Sequence, residues 1–260
     1  MDMKQGTIYT PAKVNLSLKI TGVKAGLHTL EMETVAVDLF DVVSYEGRTN
    51  GGVELEFIST LSDFDECRFR PVIERAVDRF VDEFGEVNAK IVVEKNVPLG
   101  AGIGGSSTAV VGVLKALEQL KNTRLDDRFL LSIASDIPVV YRGGHNFVRG
   151  VGEDVTPLEK IKKHFVMLVK GGVDSGEAYR TFDQIGFETY GKRENHLEKS
   201  ARALNPAVIE ARNQLEKLGA TDVGMSGSGS TMFAVFDGYD EAKKVFDQVC
   251  GFDKYLTKSL

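Results

Sequence analysis

Pro98 to Leu120 reads PLGAGIGGSSTAVVGVLKALEQL. Gly100, Gly102, Gly104 and Gly105 fall close together, Ser106 and Ser107 follow, and an apolar helical repeat then begins. Glycine has no Cβ, so such a run turns sharply and lets its backbone N–H groups approach a ligand. Ser106 or Ser107 suits the N-cap of the helix, whose first turn carries free N–H groups and partial positive charge. Loop and helix start together make a site for phosphate. A tight strand-to-helix turn without a ligand is the competing reading. The number of glycines and the two hydroxyls favour the phosphate. The helix itself is expected to bury Val110, Val111, Val113, Leu114, Leu117 and Leu120.

Upstream of the loop, Ala89 to Val93 alternates like a strand and leads through Lys95 and Pro98 into the glycines. Val72 to Phe84 has helical spacing, with Pro71 suited to its first turn. Leu61 to Arg70 is polar and reads as a loop, and Val42 to Tyr45 and Val53 to Ile58 read as short strands. Ile8 to Ile20 alternates, with Lys13 and Asn15 on its polar face just after Pro11 and Ala12. A solvated strand face is the ordinary reading of such a pair. Thr21 to Thr34 opens as a glycine-containing turn, placing His28 in a loop, and returns as a strand through Leu39.

Downstream, Leu125 to Ala134 reads as a helix. Asp136 then stands before an apolar, strand-like run, Ile137 to Tyr141, in which Pro138 bars continued helix. A carboxylate so placed is either a structural cap or a functional group. A compositional boundary falls near Thr156 and Pro157. Beyond it come a strand, Phe165 to Val169, and helices at Gly176 to Phe182, Leu197 to Leu204 and Ala207 to Leu218. MSGSGSTMFAVF, Met225 to Phe236, is a second Gly/Ser loop followed by a strand, and Tyr239 to Gln248 is a last amphipathic helix.

With 260 residues, 42% hydrophobic and 27% charged, the chain has core enough for one large domain or two small ones. A net charge of -6 leaves no basic excess for a nucleic-acid backbone. Cys67 and Cys250 are far apart and read as free thiols of a reducing cytosol. MDMKQGTIYT lacks the apolar core of a signal peptide, and no apolar run approaches the ~20 residues of a membrane helix. A cytoplasmic protein without nucleic-acid or membrane partners is expected.

Several phosphate chemistries are separable by pattern. No lysine follows the glycines, which excludes a P-loop. Protein-kinase HRD and DFG elements are absent. Gly100, Gly102 and Gly105 match GxGxxG formally. Against a dinucleotide fold, Pro98 interrupts the strand, more than ninety residues come first, and no acidic residue clearly ends a following strand.

PLGAGIGGSSTA resembles the second motif of the GHMP kinase superfamily, MSGSGSTMFAVF resembles its third and PAKVNLSL its first, in the same order. PAKVNLSLKITG, GLH, VEKNVPLGAGIGGSS and SDIPVVYRGGHNFVRGVGE narrow the resemblance to the 4-diphosphocytidyl-2-C-methylerythritol kinases of non-mevalonate isoprenoid biosynthesis, from about Tyr9 to Phe236. The resemblance implies an α+β, two-domain GHMP kinase fold. Its N-terminal, ribosomal-protein-S5-like domain would span residues 1–155 and its C-terminal, ferredoxin-like domain residues 156–260. The active site would be the cleft between them. The reaction implied is ATP-dependent phosphorylation of the 2-hydroxyl of 4-diphosphocytidyl-2-C-methyl-D-erythritol.

Asp136 matches the family's catalytic aspartate and Lys13 the lysine beside it, with Asn15 on the same strand face. Pro98, Gly100, Ala101, Gly102, Ile103, Gly104, Gly105, Ser106 and Ser107 would cradle the ATP phosphates, with Lys95 near the adenine. Gly227, Ser228 and Gly229 would close over phosphates and substrate. Mg²⁺ is expected with ATP, and Ser107 is the best protein ligand for it. His28 and Tyr179 match the residues that hold the cytosine, whereas Leu27 replaces a stacking tyrosine. The second motif is one glycine short, Pro71 falls where the family has an asparagine near the adenine, and the family's NDLE is Asn195-His196-Leu197-Glu198. A monomer or weak homodimer is expected. A GHMP kinase for another small alcohol, a non-catalytic ATP-binding regulator and, more distantly, a dehydrogenase are the alternatives.

Overall fold

The computed structural model of the chain describes residues 4–260. In chain order the elements are β1 (Gln5–Lys24), β2 (Leu27–Gly47), β3 (Val53–Ser59), α1 (Glu66–Phe84), β4 (Ala89–Lys95), α2 (Gly105–Lys121), α3 (Asp127–Ile133), α4 (Ile137–Arg142), β5 (His145–Gly150) and β6 (Asp154–Pro157). They continue with β7 (His164–Val169), α5 (Ser175–Ile185), α6 (Glu198–Leu204), α7 (Ala207–Lys217), β8 (Val223–Met225), β9 (Met232–Phe236), α8 (Tyr239–Gln248) and β10 (Asp253–Lys258). Two compact units interleave along the chain. One takes the residues up to Ala12, Leu39–Pro98 and Gly105–Arg142; the other takes Lys13–Asp38, Leu99–Gly104 and Gly143–Leu260.

In the first unit, β4 lies between β3, parallel to it, and Val42–Gly47 of β2, antiparallel to it. Helix α2 packs against β4, α1 and α4. Val110, Val111, Val113, Leu114, Ala116 and Leu117 of α2 are all buried, the all-round apolarity of a helix covered on several sides. Gly112 permits close approach to the sheet, since a Cβ there would stand 2.6 Å from Val43 Cγ2. Helix α1 is amphipathic and buries Phe69, Ile73, Ala76, Val77 and Phe80.

Three local expectations change in this unit. Helix α1 begins at Glu66, because the Asp65 carboxylate accepts hydrogen bonds from the N–H groups of Cys67 and Arg68, at 3.0 and 3.4 Å. The polar stretch expected as a loop therefore supplies the cap and first turn, and Pro71 lies inside the helix. Ile137 to Tyr141 belongs to α4 and is no strand. Pro138 is its second residue, where a missing N–H costs no helical bond. Helix α2 begins at Gly105, so Ser106 and Ser107 stand within its first turn and neither is the cap.

In the second unit, an antiparallel sheet runs β10-β7-β9-β8. Phe165 to Val169 of β7 is buried throughout, and α7 and α8 pack on this sheet. Leu30–Val35 of β2 pairs antiparallel with β5, and β5 with β6, which contains Thr156 and Pro157. Between β1 and β2 the turn is only Ala25-Gly26, with φ of 51° and 80°. Two positive φ values in a two-residue turn make the type I′ geometry that matches strand twist. His28 is thus the second residue of a strand and not a loop residue. Cys67 and Cys250 are exposed free thiols. Among the described residues no helix is long and apolar enough to cross a membrane.

Candidate functional site

Leu99 to Gly104 crosses the second unit with Gly100, Gly102 and Gly104 at φ of 63°, 77° and 82°. Left-handed residues at alternate positions turn successive N–H groups toward a common side, the arrangement that binds anions. Four carbonyls of this loop are taken by fixed donors. Gly100 O accepts from Val173 N at 3.0 Å, Ala101 O from Thr231 N at 3.1 Å and Ile103 O from Lys13 N at 3.1 Å. Gly102 O accepts from Ser226 Oγ at 3.0 Å. None of the N–H groups from Gly100 to Gly104 donates to a described acceptor. A backbone with its acceptors spent and its donors left over is complementary to a phosphate.

Lys13 and Asn15 are 6% and 1% exposed, so this part of the polar side of β1 is no solvated face, whereas Lys19 farther along it is exposed. Lys13 Nζ donates to Asn15 Oδ1, and Asn15 N donates to Ser226 Oγ at 2.9 Å. Ser226 Oγ thus accepts from β1 and donates to the loop. Gly227 packs backbone to backbone on Gly102, whose Cβ, if present, would lie 2.1 Å from Ser226 O. Ser228 Oγ and Ser175 Oγ share a hydrogen bond of 2.8 Å. The structure therefore brings Lys13, Asn15, the loop and Gly227–Gly229 together.

The clamp on that second loop is Asn195, whose motif the sequence displays without revealing its work. Its Nδ2 donates to Met225 O at 2.8 Å and to Gly227 O at 2.9 Å, and its Oδ1 accepts from Leu197 N at 2.9 Å. Backbone bonds between Leu18 and both Glu194 and His196 hold the same segment on β1.

In the first unit, Lys95 is fully buried. Its Nζ donates to both Asp41 oxygens, at 2.9 and 2.7 Å, and to Val97 O. Burial pushes its pKa down to about 8, against the pull of Asp41. Asp41 Oδ1 also accepts from the N–H groups of Asn96 and Val97, at 2.8 and 2.9 Å, and Oδ2 from Thr108 Oγ1. The Lys95 ammonium is thus spent inside the protein, fixing the chain that runs into Pro98. Asp41 was missed in the sequence, although an acid inside the apolar run Leu39 to Val43 is a signal of a buried pair.

Ser106 and Ser107, at the start of α2, border a cleft of about 300 Å³. Its other walls include Val72, Arg75 and Arg79 of α1, and Ser132, Ile133 and Ala134 at the end of α3. The two arginines are one helical turn apart, a spacing readable in the sequence but mute without the fold. Asp136 is half-buried at the residue before α4, and its carbonyl accepts from Val140 N at 3.2 Å.

His28 and Tyr179 also meet. Their rings stack at 4.9 Å between centroids and 17° between planes. His28 Nε2 donates to Asp183 Oδ1 at 2.8 Å, and Phe182 packs edge-on at 5.9 Å. Leu27, beside them, is 60% exposed. Among the described residues no group of three or more His, Cys, Asp or Glu could hold a metal ion.

Residues 71–151 match the GHMP kinases N terminal domain, and residues 179–254 match the GHMP kinases C terminal domain. A 4-diphosphocytidyl-2-C-methyl-D-erythritol kinase of Carboxydothermus hydrogenoformans is 31% identical over 270 residues, covering 93% of this chain and 92% of the relative. A kinase of the same name from Clostridium kluyveri is 30% identical over 274 residues, covering 95% and 94%. A crystal structure of 4-(cytidine 5'-diphospho)-2C-methyl-D-erythritol kinase aligns with a TM-score of 0.81 at 26% identity, over 98% of this chain and 99% of the other.

Proposed function

Because the chain belongs to the GHMP kinase family, with its two-domain α+β fold, we propose that it moves the γ-phosphoryl group of ATP to the 2-hydroxyl of 4-diphosphocytidyl-2-C-methyl-D-erythritol. The observation that carries the phosphate half of this reading is the loop Gly100–Gly104, with its carbonyls bound and its N–H groups open. The acceptor follows the named activity of relatives that share nearly the full length of the chain. A division into residues 1–155 and 156–260 is kept in this reading, since the two family segments fall on either side of it.

In the reaction the acceptor oxygen attacks the γ-phosphorus, the bond to the β–γ bridging oxygen breaks, and ADP leaves with that electron pair. Asp136 takes the hydroxyl proton. The Lys13 ammonium, oriented by Asn15, offsets charge as it develops on the phosphoryl oxygens. The N–H groups of Gly100–Gly104 hold the phosphates, and the Ser106 and Ser107 hydroxyls serve the same ligand. Gly227–Gly229 closes over the same end. Pro98, Ala101 and Ile103 fix the shape of the loop, and Lys95 supports it from within through Asp41. His28 and Tyr179, with Leu27, form the end that takes the cytosine.

Mg²⁺ neutralises the β- and γ-oxygens when bound. The Ser107 hydroxyl, an oxygen donor in the first turn of α2, would be its protein contact, and the triphosphate would supply its other oxygens. A cytoplasmic monomer or weak homodimer completes the reading.

The test is ADP release with ATP, Mg²⁺ and 4-diphosphocytidyl-2-C-methyl-D-erythritol. Asp136→Asn is expected to lower kcat about 10³-fold and leave ATP affinity within about twofold. Near-normal turnover in that variant would remove Asp136 as the base. Leu27, exposed where the resemblance expects a stacking ring, favours one second reading, a kinase of another small alcohol. Bound ATP without turnover of the cytidine compound is its signature.

A further inference from the structure

His28 is held by one face of a single helix. Tyr179, Phe182 and Asp183 stand at i, i+3 and i+4 on α5, which puts all three on the same side of it. Tyr179 stacks on the imidazole, Phe182 meets it edge-on, and Asp183 Oδ1 accepts from Nε2 at 2.8 Å. An ionised carboxylate only accepts, so the proton of that bond sits on Nε2. A neutral imidazole has one N–H, which leaves Nδ1 with its lone pair. No described residue donates to that Nδ1. His196, in the same unit, shows the opposite case. Its Nε2 donates to Glu194 Oε1 at 3.0 Å, and its Nδ1 accepts from Ile20 N at 3.1 Å. Both nitrogens of His196 are spent, whereas His28 keeps an acceptor for a ligand.

We infer that Asp183 sets the tautomer of His28, and that the unengaged Nδ1 then selects a base with an exocyclic amino group, cytosine over uracil. The inference rests on the proposed kinase reading, in which His28 and Tyr179 take the base of the acceptor. The amino group at position 4 of cytosine donates to a lone pair. Uracil has a carbonyl oxygen at that position, so lone pair would face lone pair. Its N–H donor at position 3 lies one ring atom farther round. The other tautomer, with the proton on Nδ1, reverses the preference. Asp183 is a positioning residue: it acts on the base only through His28. Asparagine in its place accepts from Nε2–H or donates to a bare Nε2, so both tautomers become available in a site of unchanged shape. The Asp183 side chain is 57% exposed, and an exposed pair adds little to stability. What Asp183 supplies is the place of a proton rather than support for the fold.

The test is calorimetric binding of CDP and UDP to the whole protein and to Asp183→Asn, at about pH 8 so that imidazoles are neutral. Saturating ADP and Mg²⁺ keep the donor end filled. The melting temperature of the variant checks that it folds as the parent does. The parent is expected to bind CDP about tenfold more tightly than UDP. Asp183→Asn should bring that ratio below about threefold, by weakening CDP and strengthening UDP. A second variant, His28→Phe, keeps a ring against Tyr179 but has no acceptor, and it should level the two nucleotides as well. Equal affinity for CDP and UDP in the parent overturns the inference. So does an unchanged ratio in Asp183→Asn, including a parallel loss of both nucleotides, the mark of a merely structural contact. Tight CDP binding with that ratio unmoved sinks the inference alone and leaves the kinase reading standing. Binding of neither CDP nor UDP by the parent takes the base away from His28 and sinks the inference together with the cytidine end of that reading.

Discussion

From Gly100 to Ile103 every carbonyl is held by a separate donor, whereas Ala25 to His28 is a turn and strand start whose Leu27 side chain is 60% exposed. Both stretches belong to the same unit. The first is over-determined: β1, the Val173 segment and the Ser226–Thr231 loop all fix it, and two of its glycines leave no room for a Cβ or carry positive φ. The second is held by the His28–Tyr179 stack, the edge-on contact of Phe182 and one exposed hydrogen bond, His28 to Asp183. Geometry that must meet a transferring phosphoryl group tolerates little displacement. A contact that only recognises the far end of an acceptor tolerates more. On the proposed reading, the contrast separates the part of the chain that sets the chemistry from the part that sets what is phosphorylated.

The contrast breaks most severely at the chain running into the loop. Lys95→Met leaves the Asp41 carboxylate buried without its cation and is expected to cost about 3–5 kcal/mol of stability in denaturant unfolding. Adding Asp41→Asn should restore much of it, because the uncompensated charge is gone. A loss below about 1 kcal/mol for Lys95→Met alone would show that the pair is not what holds Asn96 and Val97. Next comes the loop itself. At Gly102, with φ of 77°, a new Cβ would meet the Ser226 carbonyl at 2.1 Å, and a backbone atom has no rotamer by which to retreat. Gly102→Ala is expected to cost on the order of 3 kcal/mol and to abolish measurable ATP binding. Unchanged ATP affinity would take the loop out of the nucleotide site. The smallest effect sharpens the other side. Leu27→Tyr should tighten binding of CDP by about fivefold, close to 1 kcal/mol, by adding an aromatic face. No change would mean that the His28–Tyr179 stack does not open to admit a base.

Much of this was legible in the residues, and the exceptions have local causes. The strand, glycine loop and helix from Ala89 to Lys121 have strong periodicity and unambiguous punctuation. Ile137 to Tyr141 misleads because five residues of this apolar kind fit strand and helix alike, and Pro138, which bars the interior of a helix, suits the first turn of α4. Glu66 to Arg70 looks like loop because its charges face water, and the helix start is marked by the Asp65 cap and the acidic Glu66 in the first turn. Lys13 and Asn15 show how limited alternation is: a polar side of a strand reads the same whether water or protein covers it. Asp41 and Asn195 act on backbone groups distant in sequence, and no spacing announces such partners. Arg75 and Arg79 share a helix face, but that the face looks onto the start of α2 is a property of packing alone.

The unmatched N–H groups of the loop also have a kinetic side. An amide hydrogen without an acceptor trades with solvent hydrogen far faster than its neighbours in strands and helices. In the nucleotide-free protein, Gly100 to Gly104 therefore forms a short fast-exchanging window between β4, paired with β2 and β3, and α2, bonded within itself. On the proposed reading, a bound phosphate closes that window. The loop is in this sense its own isotope-labelled reporter of occupancy, readable amide by amide and independent of whether the phosphoryl group is ever passed on.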